Sequence, residues 1–282
     1  MKSKSVITIL LLTSLILFAT SCGGGGGGSD EVEGPWLCFT ANAGNSSVAT
    51  GIQGTIDVVP TLEYSTDGSD WSAFVIGETT VKLKNKGDRV YIRGDNNSFS
   101  KDGANYIKFI LGGSIKASGN IMSLVDKSCK STKIPSDECF ISLFIYCENL
   151  ITPPDLPATT LTYGCYEGMF AGCRNMTTAP ALPATTLIAN CYQNMFCDCD
   201  HLITAPVLPA TELAGSCYAT MFLRCSSLNS ITVSFTDWNT AGFSTSSWVE
   251  DVSAGGTFTC PAGLDTSIND DDHVPTGWTV QH

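Results

Sequence analysis

The sequence predicts an α+β protein: an all-β N-terminal domain followed by a solenoid of about four 26-residue coils and a C-terminal cap. Three observations carry this. Residues 35–132 hold seven short β-prone runs separated by turn signals. Residues 134–235 repeat with a period of 26. After Phe235 the period fades into a mixed polar and aromatic segment. Together they divide the chain into residues 1–21, 22–34, 35–132, 133–235 and 236–282.

The first 34 residues read as processing and tethering signals. Lys2 and Lys4 precede an apolar run from Val6 to Ala19, too short for a stable membrane span, and a small-residue stretch leads to Cys22. The junction Ala19-Thr20-Ser21-Cys22 resembles a bacterial lipobox, which implies a signal peptide over 1–21 and lipidation of Cys22. Acyl chains bury about 0.8 kcal/mol per methylene in a bilayer and would hold the protein on a membrane. Gly23 to Gly28 form a flexible tether. The acidic "SDE" that follows resembles the export signals of some Gram-negative surface lipoproteins, so the expected location is the outer membrane or cell surface.

Between 35 and 132 the runs are "WLCFTA", "GTIDVV", "TLEYS", "WSAFVI", "TTVKLK", "DRVYIRG" and "NYIKFIL". Asp67-Gly68 and Asn85-Lys86-Gly87 punctuate them, which suggests a small sandwich-like domain. Trp36 and Trp71 are expected in its core.

The repeats align without gaps: "LPATTLTYGCYEGMFAGCRNMTTAPA" from Leu156, "LPATTLIANCYQNMFCDCDHLITAPV" from Leu182 and "LPATELAGSCYATMFLRCSSLNSITV" from Leu208. A degenerate first copy starts at Ile134. Advancing about 100° per residue puts Cys191, Tyr192, Met195, Phe196 and Cys199 within an arc of about 140°. Each coil is thus expected to hold a short amphipathic helix, a short strand halted by Pro180 or Pro206, and a turn. No coil buries its own stripe; stacking buries them jointly.

Five metal-ligand types stand consecutively in "CDCDH", residues 197–201. The repeat explains them without a metal: Cys199 belongs to the column Cys147, Cys173, Cys199, Cys225, and its neighbours occupy variable positions. The chain has three histidines and no C-x-x-C pair, so no metal site and no cofactor are expected. "NDDDH", residues 269–273, reads as a solvated acidic loop. The two column cysteines of one coil stand about 12 Å apart on a helix, beyond disulfide reach. A buried reduced ladder and some bridges between adjacent coils both remain open.

"CYxxMFxxCxxL" and "LPATTL" resemble the bacterial 26-residue surface repeat of BspA-like leucine-rich-repeat surface proteins, over about residues 134–235. The resemblance implies a leucine-rich-repeat-like solenoid on a cell-surface protein used for adhesion or binding, with no shared catalytic residue. The polar positions that vary between copies, Arg174, Asn175, Asp198, Asp200, His201, Arg224 and Ser226, are the candidates for a binding face. A host or cell-surface protein or a glycan is the expected partner.

Charge sharpens this. Residues 134–282 hold 15 acidic residues and, as bases, only Arg174 and Arg224, whereas residues 30–133 hold 12 acids against 11 Lys and Arg. An acidic face repels phosphate and argues against nucleic acid. The sequence carries no G-x-S-x-G, no phosphate-binding loop and no H-E-x-x-H, and an enzyme is not expected. A structural envelope protein without a soluble ligand is the alternative. A glycan-degrading enzyme whose carboxylates meet only in space is a third.

Overall fold

The expectation of an α+β chain with a leucine-rich-repeat-like solenoid is overturned. The computed structural model describes residues 35–239 and 242–282, and these are almost entirely β, without an α-helix. Their sheets are several and small, and none closes or winds through the chain as the sheet of a solenoid. Cys22, the signal segment and the glycine tether lie outside the described residues.

Twelve strands occur in the described chain. They are β1 (Leu37–Ala41), β2 (Ser46–Gln53), β3 (Leu62–Ser65), β4 (Ser72–Phe74), β5 (Thr80–Leu83), β6 (Arg89–Arg93), β7 (Tyr106–Gly112), β8 (Ile115–Ser118), β9 (Leu150–Thr152), β10 (Ser230–Thr232), β11 (Thr257–Thr259) and β12 (Thr279–Gln281). One sheet runs β4-β3-β6-β1-β8-β9, a second β5-β2-β7 and a third β10-β11-β12. Alternation explains the first two: β2 reads buried-intermediate along Ser46 to Gly51, and β7 buries Ile107, Phe109 and Leu111. Phe39 of β1 meets Phe109 of β7 at 4.9 Å, where the two sheets share a core. "GTIDVV" forms no strand. Gly54 takes a left-handed φ at the end of β2, and Val58 and Val59 are exposed.

The sequence boundary at 132/133 crosses a hydrogen-bonded sheet. β8 pairs with β9 in parallel, and Phe109 donates its N–H to Leu143 O at 2.8 Å. All described residues fall in one compact unit.

In place of each expected helix stands a run of tight turns. In the copy from Leu156, Glu167, Met169, Ala171 and Cys173 donate to carbonyls three residues back. The alternate residues Tyr166, Gly168, Phe170 and Gly172 donate to Cys191, Gln193, Met195 and Cys197 of the next copy, at 2.8–3.1 Å. Half of the run's N–H groups thus leave the segment, whereas an α-helix bonds its backbone internally. Every fourth residue has a left-handed backbone: Gly164, Gly168 and Gly172, then Asn190, Asn194 and Asp198. Glycine, asparagine and aspartate are the types that enter that region most easily.

Stacking aligns the side chains. Tyr166, Tyr192 and Tyr218 follow one another at 5.9 and 6.1 Å, and Phe144, Phe170, Phe196 and Phe222 at 5.4–5.8 Å, all with planes within 9°. Both columns end on Trp248, 6.5 Å from Tyr218 and 6.1 Å from Phe222. The register runs past Phe235, where the sequence period fades: Ser244, Ser246, Trp248 and Glu250 accept from Tyr218, Thr220, Phe222 and Arg224.

The eight column cysteines, Cys139, Cys147, Cys165, Cys173, Cys191, Cys199, Cys217 and Cys225, form no disulfide. Cys147, Cys173, Cys199 and Cys225 each donate Sγ–H to a carbonyl of the preceding layer, those of Phe109, Phe144, Phe170 and Phe196, at 3.0–3.3 Å. Burial pushes the thiols of Cys139, Cys147, Cys165 and Cys217 up to about 12. At neutral pH these columns are small hydrophobes with a weak donor, not thiolate nucleophiles or ligands.

Candidate functional site

The variable polar positions form three columns, each advancing by 26 residues. One contains Tyr146, Gly172, Asp198 and Arg224; the next Glu148, Arg174, Asp200 and Ser226; the third Asn149, Asn175 and His201. The turn runs bring them to the same corner of successive repeats, where they bond between repeats. Arg224 grips Asp198 with Nε at 2.7 Å and Nη2 at 3.1 Å. That grip holds the Asp198 carboxyl below its ordinary range. Arg174 bridges Glu148 at 3.5 Å and Asp200 at 3.2 Å. Asn175 donates Nδ2 to Glu148 O at 2.8 Å, and His201 Nδ1 lies 2.7 Å from Arg174 O, a pairing that needs the Nδ1–H tautomer.

Six of the seven candidates therefore meet in one row. Ser226 stands exposed at its end, its backbone N–H bonded to Arg224 O. Exposed pairs of this kind contribute about 0–1 kcal/mol each, so they set register and surface chemistry more than stability. Glu148 was missed as a member. Its signal was present: it lies 26 residues before Arg174, and opposite charges alternate along that column.

The same contacts dismantle "CDCDH" as a cluster. Cys199 turns inward to Phe170 O, Asp198 and Asp200 turn to different arginines, and His201 turns to a backbone carbonyl. Among the described residues no group of three ligand types could hold a metal ion. In "NDDDH", Asp270 accepts from His273 Nδ1 at 2.7 Å and Asp272 from Ser247 N at 2.6 Å, so these carboxylates serve the chain's own turns.

Two other clusters stand apart from the row. Trp36 and Trp71 meet edge to face at 4.9 Å, half-buried, with the Arg93 guanidinium 3.5 Å over Trp71 and bonded to Glu63 at 3.1 Å. Arg93 thereby covers one face of Trp71.

Glu138 and Glu167 converge over Gly164, where a Cβ would lie 3.0 Å from Glu138 Cγ and 3.4 Å from Glu167 Oε2. Burial raises both carboxyls; Asp102 and Asp137 add to the rise at Glu138, and Glu138 adds to it at Glu167. A folded pKa above the unfolded one means that the folded chain binds more protons between the two values. The penalty is complete above the folded pKa and vanishes as pH falls below the unfolded value of about 4.3. Glu167→Gln is expected to raise the melting midpoint at pH 7 by about 1–2 °C. That advantage should shrink as pH falls and be gone near about pH 3.5, below the unfolded value, as read by circular dichroism at both pH values. An equal shift at both would show that no carboxylate penalty exists.

The row lies on an open surface that crosses successive repeats. No family model, curated protein or solved structure matches this chain.

Proposed function

We propose that this chain is a lipid-anchored protein of a bacterial outer membrane or cell surface, whose stacked repeats serve as a binding and adhesion scaffold for a protein or glycan. One observation carries the reading: six variable polar side chains line up along one exposed corner of successive repeats. Backbone ladders between repeats hold that corner rigid, and a pre-organised surface loses less freedom on binding. The anchor rests on Cys22 and the segment before it. The acidic balance of residues 134–282 favours neutral or cationic partners over nucleic acid.

A structural envelope protein without a soluble ligand is the second reading. It is favoured by the mutual pairing of the charges in the row, which a stack needs for register alone. The two separate on an array of glycans and extracellular proteins probed with the full chain in detergent. Retention of a ligand that Arg174→Ala and Arg224→Ala weaken supports the scaffold, and an empty array sinks it. In parallel, Cys22→Ser is expected to release the protein from membranes or to block its maturation. A variant that still sediments with membranes after an alkaline wash would defeat the lipid anchor.

A further inference from the structure

The last layer of the stack is only partly covered. In the run before it, Ser216, Tyr218, Thr220, Phe222 and Arg224 donate their N–H groups to Gly242, Ser244, Ser246, Trp248 and Glu250. The last run meets only the segment 269–274. Val249 N donates to Asp271 O at 3.2 Å, and Ser247 N to Asp272 Oδ1 at 2.6 Å. Thr245, two residues earlier, is 4% exposed, yet its N–H and its hydroxyl find no partner among the described residues. Buried polar groups without a partner are rare in a folded chain. Thr245 lines a cavity of about 40 Å³ with Phe243, Ser244, Ser246 and Asp272. Beside it Phe243 is 70% exposed on a left-handed backbone, with φ of 52°, so a large ring stands in solvent at a strained position.

The charge at this end has one sign. Asp271 and Asp272 belong to the covering segment, and Glu250 and Asp251 follow Val249, which is bonded to Asp271. Residues 225–282 contain no lysine or arginine. Two such ends repel one another.

The opposite chemistry lies on the outer face of the sheet β5-β2-β7. Its register sets Lys82 beside Ser47, Ile110 beside Ala49 and Lys108 beside Gly51. Lys84 is exposed and lies two residues past Lys82, on the same side of the strand. Among the described residues these three lysines form no ion pair. Ile110 is 51% exposed and leans over Gly51, where a Cβ would lie 3.0 Å from Ile110 Cδ1. The small residues of β2 thus form a low strip between a basic side and an apolar one.

An acidic end carrying an exposed ring complements a basic sheet face carrying an exposed isoleucine. Every copy of the chain supplies both. We infer that copies of this chain associate head to tail, the Phe243 end of one docking on the outer face of β5-β2-β7 of the next. The contact is heterologous, so it extends into longer assemblies unless the rotation closes a ring. It goes beyond the functional reading above and requires neither its ligand nor its anchor.

The test is sedimentation velocity of the detergent-solubilised full chain over a series of protein concentrations, at about 0.02 M and about 0.5 M salt. Oligomers are expected to grow with concentration at low salt and to recede at high salt. Two charge reversals follow, Lys82→Glu with Lys84→Glu, and Glu250→Lys with Asp271→Lys. They change side chains that bond to nothing within the described chain, and each should weaken association about tenfold or more. An equimolar mixture of the two reversed proteins should restore it, because the acidic end of one meets the basic face of the other. Phe243→Asn suits the left-handed backbone and removes the ring, so it should weaken association at least about threefold. Circular dichroism checks that each variant is folded. A monomer at every concentration overturns the inference. So do oligomers that both reversals leave intact, as acyl chains sharing a micelle would give, and a mixture that stays monomeric. A monomer whose Phe243 end instead binds an oligolysine peptide would assign that end to a basic partner and likewise overturn self-association.

Discussion

Excision of residues 182–207 is expected to leave a shorter chain that folds cooperatively, whereas excision of residues 182–194 abolishes the fold. The first cut joins Ala181 to Leu208 and removes one whole period. Phe170 then stacks on Phe222 in place of Phe196, and Tyr166 on Tyr218 in place of Tyr192. The N–H groups of Tyr166, Gly168, Phe170 and Gly172, which donate to Cys191, Gln193, Met195 and Cys197, meet the carbonyls of Cys217, Ala219, Met221 and Leu223, which already accept from the excised copy. The second cut joins Ala181 to Met195 and places half a turn run where the linking segment belongs. Gly164, Tyr166 and Gly168 lose their acceptors Ala189, Cys191 and Gln193, and the acceptors of Phe170 and Gly172, Met195 and Cys197, are pulled out of register. A buried unpaired group costs about 1–3 kcal/mol, so five such losses match the ~5–15 kcal/mol that hold a domain together. Thermal unfolding of both chains by circular dichroism decides it. Equal disorder in the two would mean that adjacent copies are not interchangeable layers.

Trp248→Ala is expected to cost about 3–5 kcal/mol, the upper range for removing a buried aromatic. Trp248 is fully buried and terminates both aromatic columns while touching Phe235, Trp238 and Phe258. Its indole N–H donates to His273 O at 2.9 Å, which ties down the last described segment. Trp248→Phe keeps a ring under the columns and loses that bond, so it should cost clearly less. Urea unfolding gives both values. A loss below about 1 kcal/mol in Trp248→Ala would show that the columns do not end in a cohesive layer.

Why the helix reading failed is visible in the residues that suggested it. Along "CYEGMFAGC" the buried hydrophobic side chains come in pairs, Cys165-Tyr166 and Met169-Phe170, then Cys173. That is a period of four, about 90° per residue, against about 100° for a helix. Over nine residues the two differ too little for the apolar stripe to separate them. The left-handed positions were the better signal. Glycines at 164, 168 and 172 and Asn190, Asn194 and Asp198 recur every fourth residue, where a helix disfavours glycine and asparagine. Ser216, Thr220 and Arg224 take the same backbone in the last copy with no such signal, carried by the ladder around them.

At the candidate row, the sequence supplied the membership and not the pairing. Arg174, Asn175, Asp198, Asp200, His201, Arg224 and Ser226 follow from variation between copies. That Arg224 takes Asp198, and that Arg174 spans Glu148 and Asp200, depends on which columns the turn runs bring side by side.

By itself the sequence determined the 26-residue period, the paired cysteine columns, the aromatic pairs between them and the acidic second half, because each is written in residue identity at fixed spacing. Only the tertiary structure decided that the runs are turns and not helices, that the β segment and the repeats share one hydrogen-bonded sheet, and that the register continues to Trp248 where the period fades. The physical reason is the destination of the backbone N–H groups. Half of them bond to another copy of the repeat, so the conformation of each run is settled by its neighbour, and no local propensity records where that neighbour lies.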